Sequence, residues 1–205
     1  MIKVYGQTYT RTARCLWMLE ELGQPYEQVD IDPRGESSKT PEYLALNPNG
    51  RVPTLVDGDT VLWESMAINL YLAEKYDGGL WPKSVEDRGR TYSWSFWGMI
   101  EAEPHLLSAM FNLATRPEEE RDTAAGEKAV ADLQKPMQIL DAALAGKPYL
   151  LGDNFSVVDL NLAAIFSWGK VARMDLTGAP NLSNWLNTCL AREARSRVFP
   201  KKSPK

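Results

Sequence analysis

The sequence predicts an α/β N-terminal domain followed by an all-α C-terminal domain. Three observations carry that expectation. The first thirty residues pattern as strand, helix, strand. Residues 47–76 hold two short β-rich runs, 52-VPTLV-56 and 60-TVLW-63, around Asp57-Gly58-Asp59, and pass straight into a helix. After the Gly- and Pro-containing stretch 77–87 the strand signal nearly vanishes and helical spacing takes over. The expected division is a domain over residues 1–78 and a helical domain over residues 87–205.

In the first part, 2-IKVY-5 alternates as a strand. The hydroxyl-rich loop 6-GQTYTRTAR-14 leads into a helix whose apolar face is Cys15, Met18, Leu19 and Leu22, widened by Leu16 and Trp17. Gly23 ends that helix and Pro25 follows, as helix C-termini favour. The second strand is 26-YEQVDI-31, and a β-α-β unit normally closes right-handed with parallel strands. Residues 32–50 are mostly loop, with Pro41 opening a short helix through Tyr43 and Leu44. An Asp-Gly pair between alternating apolar runs marks a hairpin. The next helix starts at Glu64 or Ser65 and sets Met66, Leu70 and Ala73 on one face, beside Ala67 and Tyr71. This order suits a four-stranded mixed sheet with helices on both sides.

In the second part, residues 87–112 carry Tyr92, Phe96, Met99 and Ile100 at helical spacing, with Pro104 bending or dividing the segment. The solvated stretch 117-PEEERD-122 precedes a helix over 123–145, disturbed at Pro136. In 156-SVVDLNLAAIFSWGKVA-172, Ser156 and Asp159 are spaced as a capping box, and Phe155 and Leu160 as a hydrophobic staple. Its apolar first turns make it the core helix. Trp185, Leu186, Cys189 and Leu190 belong to a last helix, before a basic, frayed tail at residues 200–205.

Composition narrows the function. The 205 residues are 44% hydrophobic and 24% charged, an ordinary globular balance. A net charge of -4 and a pI of about 5.2 argue against nucleic acid or an anionic membrane as partner. No apolar run reaches the roughly 18 residues of a bilayer span, and the N-terminal residues lack a signal peptide's apolar core. Two cysteines without a C-x-x-C motif fit a reducing, cytoplasmic setting, and both Cys15 and Cys189 suit a core. One histidine, His105, leaves no histidine-rich metal site and suits an exposed position better than a pocket base. Glycine-rich nucleotide motifs are absent.

One stretch carries candidate chemistry. Pro53 sits inside a strand-like run, where it cannot donate to a ladder, so it belongs at an edge, at a strand's first residue or in a special turn. A cis Val52-Pro53 bond would meet that requirement. Glu64-Ser65 brings a carboxylate and a hydroxyl to a helix start, where free N–H groups favour an anion. A plain helix cap fits as well. A ligand with both an ammonium and a carboxylate, such as an amino-acid end group, would match the pair.

The segments 3-KVYG-6, 47-NPNGRVPTL-55, 63-WES-65, 69-NLYLAEKY-76 and 156-SVVD-159 resemble the glutathione S-transferase superfamily, over nearly the whole chain. The resemblance implies a thioredoxin-like N-terminal domain and an all-helical C-terminal domain. It implies Pro53 as a cis-proline and Val52 pairing its backbone with the cysteinyl part of glutathione. Glu64 and Ser65 would hold the γ-glutamyl end, with Arg51 near the peptide and Lys39 a candidate for the glycyl carboxylate. The thiolate needs a hydroxyl donor in the loop after the first strand, and Thr10, Tyr9 and Thr8 are the candidates. Thr10 stands four residues before Arg14, where bacterial-type members often carry Ser; Tyr9 is the better acid. No cysteine lies at positions 8–10 for a cysteine-dependent mechanism.

The resemblance further implies a detoxifying transferase, active as a cytoplasmic homodimer on glutathione and a small hydrophobic electrophile, without a metal. Trp94, Trp97, Met110, Phe111 and Trp168 could line the electrophile site, but spacing does not separate pocket from core, and a core position is the favoured reading for each. An isomerase, a dehalogenase and a non-catalytic binding or scaffold protein of the same fold remain open.

Overall fold

The computed structural model describes residues 1–199, and the tail expected to fray, 200–205, lies outside the described residues. The chain divides into two compact units. Among the described residues, one takes Met1–Trp81 together with residues 192–199, and the other takes Pro82–Ala191.

The first unit is built on a four-stranded sheet of order β2-β1-β3-β4, with β1 (Ile2–Tyr5), β2 (Tyr26–Val29), β3 (Thr54–Asp57) and β4 (Thr60–Trp63). β1 is parallel to β2 and antiparallel to β3, and β3 is antiparallel to β4. β2 stops at Val29, short of the expected Ile31, because its one neighbour, β1, offers only four residues to pair with. Asp57 is itself a paired strand residue opposite Thr60, so the hairpin turn is Gly58-Asp59, with Gly58 at φ 61°. β3 begins at Thr54 rather than Val52, since Pro53 has no N–H to continue a ladder.

α1 spans Thr12–Leu22, so Thr12, Ala13 and Arg14 belong to the helix and not to the loop before it. Gly23 closes α1 in the left-handed region at φ 61°. α2 (Pro41–Leu46) follows, capped by the Thr40 hydroxyl, which accepts from the Tyr43 N–H. Tyr43 reaches Tyr5 and Thr54, which strand alternation places on the face opposite Val4 and Leu55. α3 (Ser65–Tyr76) packs on α1. Its buried stripe is Ser65, Met66, Ile68, Asn69, Leu72 and Ala73, while Ala67 is exposed and Leu70 only half-buried. Polar Ser65 and Asn69 lie on the inward side, which hides the true face from a count of apolar residues. The Asp57 carboxylate accepts from Tyr71 (3.1 Å), Lys75 (2.7 Å) and Tyr76 (2.7 Å) and ties the hairpin to the far end of α3. Burial pushes the Asp57 carboxyl up, and these donors outweigh it and hold it below the usual range.

In the second unit, α4 (Val85–Trp97) and α5 (Glu103–Met110) are joined by a π turn at Gly98–Ala102, and a second π turn at Phe111–Thr115 ends the segment. Pro104 supplies the cause of the first: its ring crowds the carbonyl four residues back and it has no N–H, so the helix widens ahead of it. α6 (Thr123–Asp132) and α7 (Gln134–Ala143) replace the single helix expected over 123–145. The break at Leu133 precedes Pro136, which cannot return a hydrogen bond to Asp132. α8 (Val157–Val171) is the core helix, buried from Val157 through Phe166, and α9 (Pro180–Leu190) packs against it. A side chain at Gly98 would meet Leu162 Cδ2 at 2.3 Å, so the α4–α5 segment and α8 are in close approach there. The capping box at Ser156 and Asp159 is present.

α10 (Glu193–Val198) is an additional helix that the sequence pattern did not mark, being short and mixed in charge. It packs on α1, where Arg192 grips Glu21 in a fork (2.6 and 2.7 Å) and Arg197 meets Glu20 (2.6 Å).

Asp159, fully buried, accepts from Leu150 N, Ser156 N, Ser156 Oγ and Trp185 Nε1 at 2.8–3.0 Å. Asp159→Ala strands these donors, and the loss is expected to exceed about 3 kcal/mol of unfolding free energy. Chemical denaturation measures it, and an unchanged midpoint contradicts the assignment.

Candidate functional site

The sheet ladder ends at one edge with Tyr5 paired to Thr54 and Thr54 paired to Trp63. One residue further on, three segments meet: Gly6 after β1, Pro53 before β3 and Glu64 after β4. A side chain at Gly6 would meet Thr12 Oγ1 at 2.1 Å and Val52 Cβ at 2.8 Å, so the loop into α1 lies directly against Val52. Gly6 adopts φ 127°, which other residues rarely do.

The Val52-Pro53 bond is cis. Among the described residues, neither the Val52 N–H nor its C=O makes a hydrogen bond. The preceding carbonyl, of Arg51, accepts from Tyr43 Oη (2.6 Å) and Asn47 Nδ2 (2.8 Å). In a trans peptide the C=O and N–H point opposite ways. Anchoring the Arg51 carbonyl on Tyr43 and Asn47 therefore turns the Val52 N–H away from them. Tyr43 and Asn47 are buried, and both also bond Thr54 Oγ1. Burial pushes the Tyr43 hydroxyl above its usual range, so it remains a donor.

Ser65 is the first residue of α3 and is buried. α1 holds it twice: Arg14 Nη1 lies 3.4 Å from its Oγ, and Cys15 Sγ lies 3.9 Å from its carbonyl oxygen. Glu64 precedes it with φ 73° and caps no N–H with its side chain. The first turn of a helix presents N–H groups and a positive dipole end. Lys39 closes a short helical turn, Glu36–Lys39, and pairs with Glu36 at 3.2 Å. That turn abuts the Val52 segment, because the Ser38 carbonyl would sit 3.1 Å from a side chain at Gly50. The Arg51 side chain is exposed.

The three hydroxyl candidates differ. Thr8 is exposed, and Tyr9 is 71% exposed, so its ring does not pack into the unit. Thr10 is half-buried at the start of α1. Its Oγ1 accepts from Thr12 N (3.1 Å) and lies 2.7 Å from the Gln7 carbonyl and 2.9 Å from Thr12 Oγ1. The Thr10 hydroxyl proton thus already has acceptors within the chain. Burial pushes the Cys15 thiol far up, as for an inert core residue.

Family models settle the relationship. The glutathione S-transferase N-terminal domain matches residues 1–74, and the glutathione S-transferase C-terminal domain matches residues 103–193. The chain belongs to the glutathione S-transferase superfamily. It is 34% identical to glutathione S-transferase GstB of Escherichia coli over 97% of both chains, and 33% identical to glutathione S-transferase 3 of Zea mays over 94% of this chain and 90% of that one. The crystal structure of the theta class glutathione S-transferase from Xanthomonas axonopodis pv. citri with glutathione bound superposes with a TM-score of 0.89, at 32% identity and 98% coverage of each chain. The thioredoxin-like α/β domain followed by a helical domain is the fold these relatives share.

Sequence reasoning on this superfamily member missed the supporting residues. Arg14 contacts Ser65, and Tyr43 and Asn47 contact the Arg51 carbonyl and Thr54. One signal was available, the polar Asn47 opening the N-P-N-G turn. In the helical unit, Trp94, Trp97, Met110, Phe111 and Trp168 all keep part of their surface exposed, against the expectation of a core. Trp94 stands edge-on to Trp97 with centroids 5.0 Å apart, and Trp97 lies near-parallel to Phe166. His105 is half-exposed, with Nδ1 3.8 Å from Asp132.

Asn47→Ala removes donors to Arg51 and Thr54 and an acceptor for Asn49. The expected cost is about 2–3 kcal/mol of stability, measured by denaturant unfolding. A change below about 0.5 kcal/mol would contradict the role given to Asn47.

Proposed function

We propose that this chain is a glutathione transferase that conjugates the glutathione thiolate to a small apolar electrophile. The observation that carries the reading is the unpaired backbone of Val52, beside the loop into α1 and two residues beyond the end of the sheet. An extended peptide can add to such an edge by main-chain hydrogen bonds. In this reading the cysteinyl part of glutathione pairs with Val52 next to Pro53. Glu64 and Ser65 take the γ-glutamyl end, its ammonium on the carboxylate and its carboxylate on the hydroxyl and the α3 N-terminus. Lys39 takes the glycyl carboxylate once it leaves Glu36, and Arg51 lies along the peptide. Family membership and the glutathione-bound theta class relative support this arrangement.

The chemical task is to keep the sulfur ionised. A thiol pKa lowered by two units corresponds to about 2.7 kcal/mol of differential stabilisation. Thr10, half-buried at the positive end of α1, is the proposed donor, with Tyr9 the alternative. Thr10 must first release its bond to Gln7 or Thr12, a cost of about 1 kcal/mol. An apolar acceptor held close to the thiolate gains further from effective concentration. The exposed side chains Tyr92, Phe96 and Ile100 follow one face of α4 and the π turn after it, and they support a homodimer formed through that face. A cytoplasmic, detoxifying role is part of the same proposal. One observation favours a second reading, a glutathione binder without transfer chemistry: the Thr10 proton is already committed.

Titration calorimetry with glutathione, and ultraviolet difference spectra of the bound thiolate against pH, test the reading. Ser65→Ala is expected to raise the glutathione Kd about tenfold to a hundredfold. Thr10→Val is expected to leave the Kd within about threefold while kcat falls roughly a hundredfold, the loss of the thiolate bond. Full activity in Thr10→Val moves the donor role to Tyr9, and no saturation by millimolar glutathione defeats the whole proposal. Phe96→Asp with Ile100→Asp is expected to give a monomer by sedimentation, and an unaltered dimer contradicts the interface.

A further inference from the structure

Arg14 is a charged residue buried in α1, 3% exposed, one position before Cys15. Taking a guanidinium out of water is costly, so its place invites a physical account. Its Nη1 lies 3.4 Å from Ser65 Oγ.

The two groups are not equivalent in this contact. A guanidinium carries donors only, whereas a serine hydroxyl has one donor and two lone pairs. Ser65 must therefore accept from Arg14, and its own proton stays available for another partner. The backbone of Ser65 is held as well, through Cys15, so the hydroxyl keeps its place at the first turn of α3. No side chain caps that turn, because Glu64 makes no cap bond. The proton of Ser65 and the N–H groups of the first turn thus present donors together.

We infer that Arg14 is a positioning residue that fixes the polarity of the Ser65 hydroxyl, making it an obligate donor to the carboxylate of the ligand's amino-acid end. The inference rests on the glutathione site proposed above. Arg14 acts through Ser65 and touches neither the sulfur nor the electrophile. Its loss is expected in ligand affinity and not in thiol chemistry. Arg14→Gln is the sharpest replacement, since a glutamine oxygen can accept the Ser65 proton and take it away from the ligand. Arg14→Met removes the charge and the donors with an unbranched side chain, and it serves if the glutamine variant does not fold.

The experiment measures Kd by calorimetry in the full chain, for glutathione and for an analogue lacking the γ-glutamyl carboxylate. The proteins are the parent, Arg14→Gln, Arg14→Met, Ser65→Ala and the double variants, each checked for folding by circular dichroism. Either Arg14 variant is expected to weaken glutathione roughly tenfold and the analogue by less than about threefold. In the Ser65→Ala background the same Arg14 change is expected to add less than about threefold. The pKa of the bound thiol is expected to stay unchanged. Equal losses for glutathione and the analogue, or a full additional loss in the Ser65→Ala background, overturn the inference. If the parent binds neither ligand, the glutathione reading itself fails, an outcome distinct from both.

Discussion

The candidate site depends on where backbone pairing stops. β1, β3 and β4 share a ladder that ends at Thr54, and Pro53 has no N–H with which to extend it. The peptide group before Val52 is then fixed from one side only, through the Arg51 carbonyl on Tyr43 and Asn47. Its N–H is left outward. An unpaired donor and acceptor on successive backbone groups is an unfinished strand edge, which in the proposed function a peptide ligand completes.

The residues that hold this edge are buried and polar. Tyr43, Asn47 and Thr54 form one cluster, and Arg14 and Ser65 form another across α1 and α3. Individually, such bonds contribute about 1 kcal/mol each, and removing one partner costs more because the other is left buried and unsatisfied. That asymmetry makes the clusters rigid supports. Gly6 adds a steric condition, since only a residue without a side chain lets Thr12 and Val52 approach the end of β1 as closely as they do.

Much of the fold was legible in the sequence because its signals are local. Strand alternation at Ile2–Tyr5, the Gly23 stop and the Ser156–Asp159 capping box each act over a few residues, and each appears in place. Departures came where proline or tertiary contacts govern. Pro136 splits α6 from α7 where one disturbed helix was expected, and Asn69 faces inward on α3, whereas the division at Pro104 was expected and only its π geometry was not. α10 has no strong period of its own and gains its place from charged contacts with Glu20 and Glu21 far back in the chain. Of the candidate site, the sequence marked the turn at Val52-Pro53 and the helix start at Glu64-Ser65, because dipeptides before a strand and at a helix start are local signals. Its supports were not, since Arg14 meets Ser65 across 51 residues of sequence.

In the proposed function the Val52 amide, unpaired in the free chain, becomes the bonding edge for glutathione. Residue-resolved amide hydrogen exchange, with and without saturating glutathione, measures this directly. Fast exchange is expected at Val52 in the free protein, slowing by more than about tenfold in the complex. Glutathione that binds while the Val52 amide keeps its exchange rate would contradict it.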